Sequence, residues 1–241
     1  MAVTAVPREN NPFANDNPAL ARSTVLARYH QLREISKRHH HEALDLVAPD
    51  AMLQQARRLG LAQGKTLILH DIDEMYYVYD LVIHTAPPGR LRAIDRYASS
   101  ARFPPRSDDV LVLEAMREAR FAILAVERRH PAAGLIATDL IRRSDVWLVD
   151  LGLEASLEQG AVIATRLFAP DQFSMTAGVE VPFDIALIED LYCELPRGLR
   201  KMKEVEDLIE DRRFAETLYR VALADGIMDR VRYCDPPEDA S

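Results

Sequence analysis

Apolar positions along the chain fall into three successive textures. In the first, Val25, Tyr29, Leu32, Ser36, His39, Ala43 and Leu46 recur at steps of three and four, and Leu26, Ile35 and Val47 widen the stripe. That period predicts one long amphipathic helix. Asn17 suits its N-cap and Pro18 its first position, where a missing N–H costs nothing. Ala48-Pro49 ends it. A second helix spans about 50–59 and stops at Gly60, and 65–69 reads as a short extended piece. Asp71 with Glu74 three residues on is a capping-box spacing, which opens a helix through Met75, Val78, Leu81 and Val82. Pro87-Pro88-Gly89 closes it. A shorter helix lies around Ile94 and Tyr97. After Pro104-Pro105, Ser107 caps another helix carrying Val110, Leu113 and Met116.

The second texture is five apolar, β-branched-rich runs at 121–128, 135–141, 146–151, 161–168 and 173–181, separated by turn-like stretches such as Pro131-Ala132-Ala133-Gly134. Short runs at regular spacing predict an antiparallel meander or small barrel. Helical spacing returns after Pro182. Ile185, Ile188 and Leu191 form one stripe, Pro196 and Gly198 interrupt it, and Leu199, Met202, Val205, Ile209, Phe214, Leu218 and Val221 continue. The expected fold class is α+β. It comprises a tail at 1–17, a helical part at 18–119, a small five-stranded antiparallel sheet or barrel at 120–182, C-terminal helices at 183–233 and a frayed end at 234–241.

Composition narrows the function classes. The net charge of −8 argues against nucleic acid and anionic membranes. The acidity is concentrated late in the chain, where residues 183–241 hold 9 basic and 15 acidic side chains. Two cysteines, Cys193 and Cys234, make no disulfide framework and point to a reducing cytoplasm. No run of about 18 apolar residues is present to span a membrane.

Four groups of residues are candidates for chemistry. His39-His40-His41-Glu42 offers metal-ligand types. Consecutive helical residues point about 100° apart, so the three rings do not converge. His39 belongs to the core stripe, with His40 and His41 at its flank and in solvent. His70-Asp71, with a histidine about thirty residues earlier, resembles the His…His-Asp pattern of HD-type metal phosphohydrolases, yet helix capping accounts for Asp71 without chemistry. Arg128-Arg129 and Arg142-Arg143 flank successive strands, which makes a basic spot at one end of the sheet conceivable. Tyr76, Tyr77 and Tyr79 occupy three sides of one helix, so part of the group faces outward, where tyrosine favours contacts with a partner. The sequence has no phosphate-binding glycine loop, nucleophile elbow or H-E-x-x-H. It therefore nominates no catalytic residue, metal ligand or cofactor.

Three stretches, Ala115-Met116-Arg117-Glu118-Ala119-Arg120-Phe121, Val146-Trp147-Leu148-Val149-Asp150-Leu151-Gly152-Leu153-Glu154 and Phe173-Ser174-Met175-Thr176-Ala177-Gly178, are similar to a group of uncharacterised bacterial proteins. The likeness extends over much of 18–182 and implies a bacterial cytoplasmic protein with no assigned activity. The leading functional expectation is a non-enzymatic factor that binds another protein or itself, with Arg128, Arg129, Arg142, Arg143, Tyr76 and Tyr77 as contact candidates. The alternatives are a metal-dependent phosphohydrolase using His70 and Asp71, and RNA binding through the β module.

Overall fold

The computed structural model describes residues 21–226. The expected tails, the Asn17-Pro18 helix start and Cys234 lie outside them. The first helix, α1, is described over Arg22–Asp45, with Ala21 at its N-cap. Its buried side chains are Val25, Leu26, Tyr29, Leu32, Ser36, His39 and Ala43, the predicted stripe except for its last member, Leu46, which lies at the C-cap and is exposed. Helix α2 (Pro49–Leu59) ends at Gly60. A short hairpin pairs β1 (Ala62–Gln63) with β2 (Thr66–Leu67), of which only β2 falls in the expected extended piece at 65–69. A 3-10 turn at Ile72–Glu74 leads into α3 (Met75–His84), followed by α4 (Ala93–Ser100) and α5 (Asp108–Arg117). Ser107 Oγ accepts from Val110 N–H and starts α5 as expected.

The sheet follows. Strands β3 (Arg120–Arg129), β4 (Leu135–Asp139) and β5 (Ser144–Leu148) form a meander. Helix α6 (Leu151–Ser156) interrupts it before β6 (Val162–Phe168), β7 (Met175–Thr176) and β8 (Val181–Pro182). The order is β5-β4-β3-β6-β7, with β8 also on β6, and every ladder is antiparallel. The sheet curls into a half-barrel. Its far ends touch where Val149 N–H donates to Ser174 O at 2.9 Å and Ser174 N–H donates to Trp147 O at 2.7 Å.

Helix α6 corrects the expectation of one strand through 151. Asp150 Oδ1 accepts from Leu153 N–H at 3.1 Å and starts the helix, while the apolar residues Val149, Leu151 and Leu153 continue across the change without altering composition. The run at 173–181 contains only two short strands, with Gly178 between them.

After the sheet come α7 (Ile185–Glu194), α8 (Val205–Glu210) and α9 (Arg212–Asp225). Helix α7 is rotated from its predicted face. Leu187 and Leu191 are buried, with Leu195 just beyond the helix, whereas Ile185 is 76% exposed and Ile188 also faces outward.

Alternation along the strands sorts the core. Ala122, Leu124, Val126, Leu135, Ala137, Val146, Leu148, Ile163 and Leu167 fill the inside of the curl, closed by Leu153 of α6. Phe121, Ile123 and Ala164 point outward against α2, α3, α7 and α9. Ile136, Trp147 and Phe168 point outward against α1, α4 and α5. Both faces are thus covered, which is why the strands read as near-continuous apolar runs. Helices from both ends of the chain therefore meet over the same outer face, and Arg166 of β6 projects among them.

Candidate functional site

Helix α3 is the apolar stretch Met75–His84 with one acidic residue in it, Asp80. One turn apart on the same side of this helix lie Asp80 and His84. Strand β6 likewise carries a single charge, Arg166. The fold brings the two charges together. Arg166 Nε donates to Asp80 Oδ1 at 2.7 Å and Nη2 to Oδ2 at 3.1 Å. From α9, Tyr219 OH donates to Asp80 Oδ2 at 3.0 Å. All three residues are buried. Burial works against the Arg166 charge, but the Asp80 carboxylate more than offsets it and holds the guanidinium above its ordinary value. Burial and then the same carboxylate push the Tyr219 phenol well up. Gly178 presses on this pair from the other side, where a Cβ would stand 2.5 Å from Asp80 Oδ1.

One turn along α3, His84 meets His40 of α1. One Nε2 donates to the other across 3.3 Å, with the rings at 83°. Burial lowers both basicities, His40 to about 4 and His84 well below its ordinary value, helped by Arg33 in the first case and Arg166 in the second. Both rings are therefore neutral at physiological pH. His84 Nδ1 is buried without a partner among the described residues.

These groups form part of the walls of two clefts. The larger, about 1050 Å3, opens between α1, α3, the turn at 70–74, the stretch 177–180 and the end of α9. His40 and Asp80 line it, together with Glu180. The smaller, about 690 Å3, lies beyond and is lined by His84 and Arg166.

Glu180 is the most perturbed carboxyl in the larger cleft. Burial, and after it the Asp150 charge, pushes it up to about 7, against the Thr176 hydroxyl and Arg33, which favour its charged form. Behind it is a fixed network. Arg33 donates to Asp150 Oδ2 at 2.9 Å and to Thr176 O at 2.6 Å, and Thr176 Oγ1 donates to the same Asp150 oxygen at 3.0 Å. With Arg33 shared in this way, Glu180 has no counter-charge to itself. The larger cleft therefore holds a carboxyl poised between protonated and charged near neutrality, with the neutral His40 ring also in its lining. Perturbed groups of this kind gather at functional sites because burial and like charges are what shift them.

Tyr76 and Tyr79 meet edge-on at 6.0 Å on the cleft wall, Tyr76 being 57% exposed. Tyr77 turns inward and packs on Tyr219 at 5.0 Å. The rim is acidic: Asp71, Asp73 and Glu74 come from the turn before α3. Asp71 Oδ1 accepts from Asp73 N–H at 3.0 Å, so it is a cap, but of the 3-10 turn. The expected return bond is displaced by one residue, because Glu74 Oε2 accepts from His70 N–H at 2.8 Å.

Other sequence candidates are scattered. His39 is in the core, bonded to Tyr97 OH and Asp109 O at 3.0 Å each, as its stripe position predicts. His41 is exposed at the cleft. His40, at the flank of the stripe as expected, turns to His84 because α3 packs against that side of α1. The arginine pairs do not form one basic spot. Arg128 and Arg129 sit opposite Ile136 and Leu135 at one end of β4, and Arg142 and Arg143 follow Asp139 at the other. Four strand residues, roughly 13 Å, separate the two levels. Arg142 is also surrounded by carboxylates: it bonds Asp139 at 3.0 Å, Glu206 at 3.2 Å and Glu210. Among the described residues no group of three or more His, Cys, Asp or Glu side chains is placed to hold a metal ion. Also among the described residues, no helix is long and apolar enough to cross a membrane.

Sequence reasoning missed Asp80, Arg166, His84, Tyr219 and Glu180. The available signal was a lone charge inside a segment whose periodicity buries it, as at Asp80 and Arg166.

A family model described as a family of unknown function, DUF7986, matches residues 23–231, and the chain belongs to that family. Searches of curated proteins and of solved structures each found no match.

Proposed function

We propose that this member of the family is a non-enzymatic binding protein that takes a basic segment of a protein partner into the larger cleft. The observation that carries this reading is Glu180. Its carboxyl is held near 7 by burial and by Asp150, and an entering ammonium or guanidinium group offsets both effects at once. Asp71, Asp73 and Glu74 add negative potential at the mouth, which favours a cation before contact is made. Tyr76 and Tyr79 offer aromatic faces on the same wall, each able to contribute about 0.5–1 kcal/mol to a bound cation. At about 1050 Å3 the cleft is just above the roughly 300–1000 Å3 usual for small ligands, a size that suits a short peptide. In this reading Tyr76 is a contact residue, Tyr79 stands in place of Tyr77, whose ring packs inward on Tyr219, and the arginine pairs have no part.

The test is fluorescence anisotropy with labelled tri-arginine and tri-glutamate peptides. Tri-arginine binds, more tightly as the pH rises through 7 and Glu180 loses its proton, and Glu180→Gln weakens it about tenfold or more. Equal binding of tri-glutamate, or indifference to Glu180→Gln, overturns the proposal.

A further inference from the structure

The geometry points to a second binding site, in the smaller cleft, that takes a phosphate monoester with a compact apolar group. This goes beyond the reading of the larger cleft and does not depend on it. Five arginines line the smaller cleft, against two carboxylates, Glu210 and Asp211. Three of the five are committed. Arg166 holds Asp80, Arg92 donates to Asp95 at 2.6 and 3.0 Å, and Arg213 pairs with Asp211 at 2.8 Å. Glu210 is taken by Arg142. Two cations are left. Arg90 is exposed, and its guanidinium has no partner among the described residues. Arg212 has Glu216 only at 3.9 Å, beyond hydrogen-bonding distance. Arg212 also opens the 14-residue helix α9, whose aligned N–H groups add positive potential at that end.

His84 supplies the observation that calls for a ligand. It is 3% exposed, and of the two clefts it lines only the smaller. Its Nε2 is occupied by His40. Nδ1, which points away from His40, is buried without a partner among the described residues, a state that buried polar atoms rarely keep. A neutral imidazole has one N–H and one lone pair. When His40 donates at the His40–His84 contact, the hydrogen of His84 is on Nδ1, and a group that only accepts completes it. A phosphate dianion is such a group. It brings nearly two negative charges to two unpaired guanidinium groups, and three oxygens to three donors. A carboxylate brings one charge and two oxygens. Phe121, Ile209 and Ala215 add apolar wall. The volume of about 690 Å3 is within the roughly 300–1000 Å3 usual for small ligands, more than a bare phosphate fills. Binding fixes the direction of the His40–His84 bond, with His40 as donor.

The experiment titrates the full chain with phenyl phosphate and with phenol in a calorimeter at about pH 8, well above the second phosphate pKa of about 6. Phenyl phosphate is expected to bind and phenol is not. Arg90→Gln, a change at an exposed side chain, should weaken binding severalfold, and Arg90→Gln/Arg212→Gln about tenfold or more, with thermal melts to establish that each is folded. Lys37→Gln, which removes a cation from the larger cleft, should leave the affinity unchanged. In the complex, 15N NMR should find a hydrogen bonded to His84 Nδ1, the signal being assigned by its absence from His84→Gln. The inference is overturned if phenyl phosphate does not bind, if phenol binds equally well, or if the folded Arg90 and Arg212 variants bind as the unaltered chain does. It is also overturned if Lys37→Gln weakens binding as much as the double variant, which would put the ligand in the larger cleft, or if His84 Nδ1 carries no hydrogen in the complex.

Discussion

Gly178 lies so close to Asp80 that a Cβ on it would stand 2.5 Å from the carboxylate oxygen Oδ1 and 2.9 Å from Cγ. A glycine in the connection between β7 and β8 thereby lets a buried charge on α3 reach its partner on β6. The carboxylate cannot step aside, because Arg166 holds both of its oxygens and Tyr219 holds one of them again. Gly178→Ala is therefore expected to destabilise the fold by about 1–3 kcal/mol, as overpacking at a fixed site does. Denaturant unfolding measures it. A variant within a few tenths of a kcal/mol of the unaltered chain would show that Asp80 is free to move.

The Asp80–Arg166 pair should cost more to break than to remove. Arg166→Met leaves a carboxylate buried with only the Tyr219 hydroxyl, and the expected loss is about 3–5 kcal/mol. Asp80→Asn combined with Arg166→Met removes both charges and should recover a large part of that loss. Tyr219→Phe takes away one hydrogen bond to a charged acceptor, worth about 1.5–3 kcal/mol. If the double variant is no better than Arg166→Met, the charge left behind is not what destabilises the single variant.

The architecture was legible because it follows from period. The stripe on α1 and the five apolar runs needed no knowledge of partners, and α1 and strands β3, β4, β5 and β6 lie close to where spacing puts them. Misreadings arose where one local pattern serves two elements. Val149, Leu151 and Leu153 continue an apolar run across the end of β5 into α6, so only the Asp150 cap marks the boundary. On α7, Ile185 and Leu187 are equally apolar, and only packing against α9 decides that Leu187 is the buried one. The candidate site was hardly legible at all. Asp80, Arg166 and Tyr219 are separated by 86 and 53 residues, and Glu180 acquires its character from burial and Asp150 rather than from any neighbour in sequence. No motif spacing encodes a site assembled from α1, α3, β6, the 177–180 stretch and α9.

Asp71 caps an exposed turn, and its removal should be mild. Asp71→Ala frees one N–H at the surface, where water replaces the lost acceptor, so the expected cost is about 0.5–1 kcal/mol, the lower part of the range for caps. Asp71→Ser and Asp71→Asn should retain most of the stability, since either oxygen can accept from Asp73 N–H. A melting temperature unchanged or raised in Asp71→Ala would remove the capping account and return attention to His70 and Asp71 as ligands.

The pH dependence of stability should contain two opposed contributions, from the His40–His84 pair and from Glu180. Both histidines are less basic in the fold than the ordinary 6.5, His40 falling to about 4. The unfolded chain therefore binds their protons first. Their contribution is fully present above pH 6.5 and is lost as the pH falls toward 4. Glu180 behaves in the other sense. Its folded value is pushed up to about 7 from 4.5, so the folded chain holds a proton that the unfolded chain releases. Stability from this group is fully present below 4.5 and is lost as the pH rises through 7. Between pH 6.5 and 5 most other carboxylates stay charged, and the two contributions partly cancel in the unaltered chain. Variants separate them. With Glu180→Gln the acid-side gain disappears, and stability should fall on going from pH 6.5 to 5. With His40→Gln and His84→Gln together the loss disappears, and stability should rise over the same interval. Each change is expected to be on the order of 1–2 kcal/mol, allowing for the part of His40 and Glu180 that meets the solvent of the cleft. Urea unfolding at pH 5.0, 5.75 and 6.5 reads both. Parallel curves for the unaltered chain and Glu180→Gln would mean that this carboxyl titrates at its ordinary value, and the cation-binding role proposed for it would lose its physical basis.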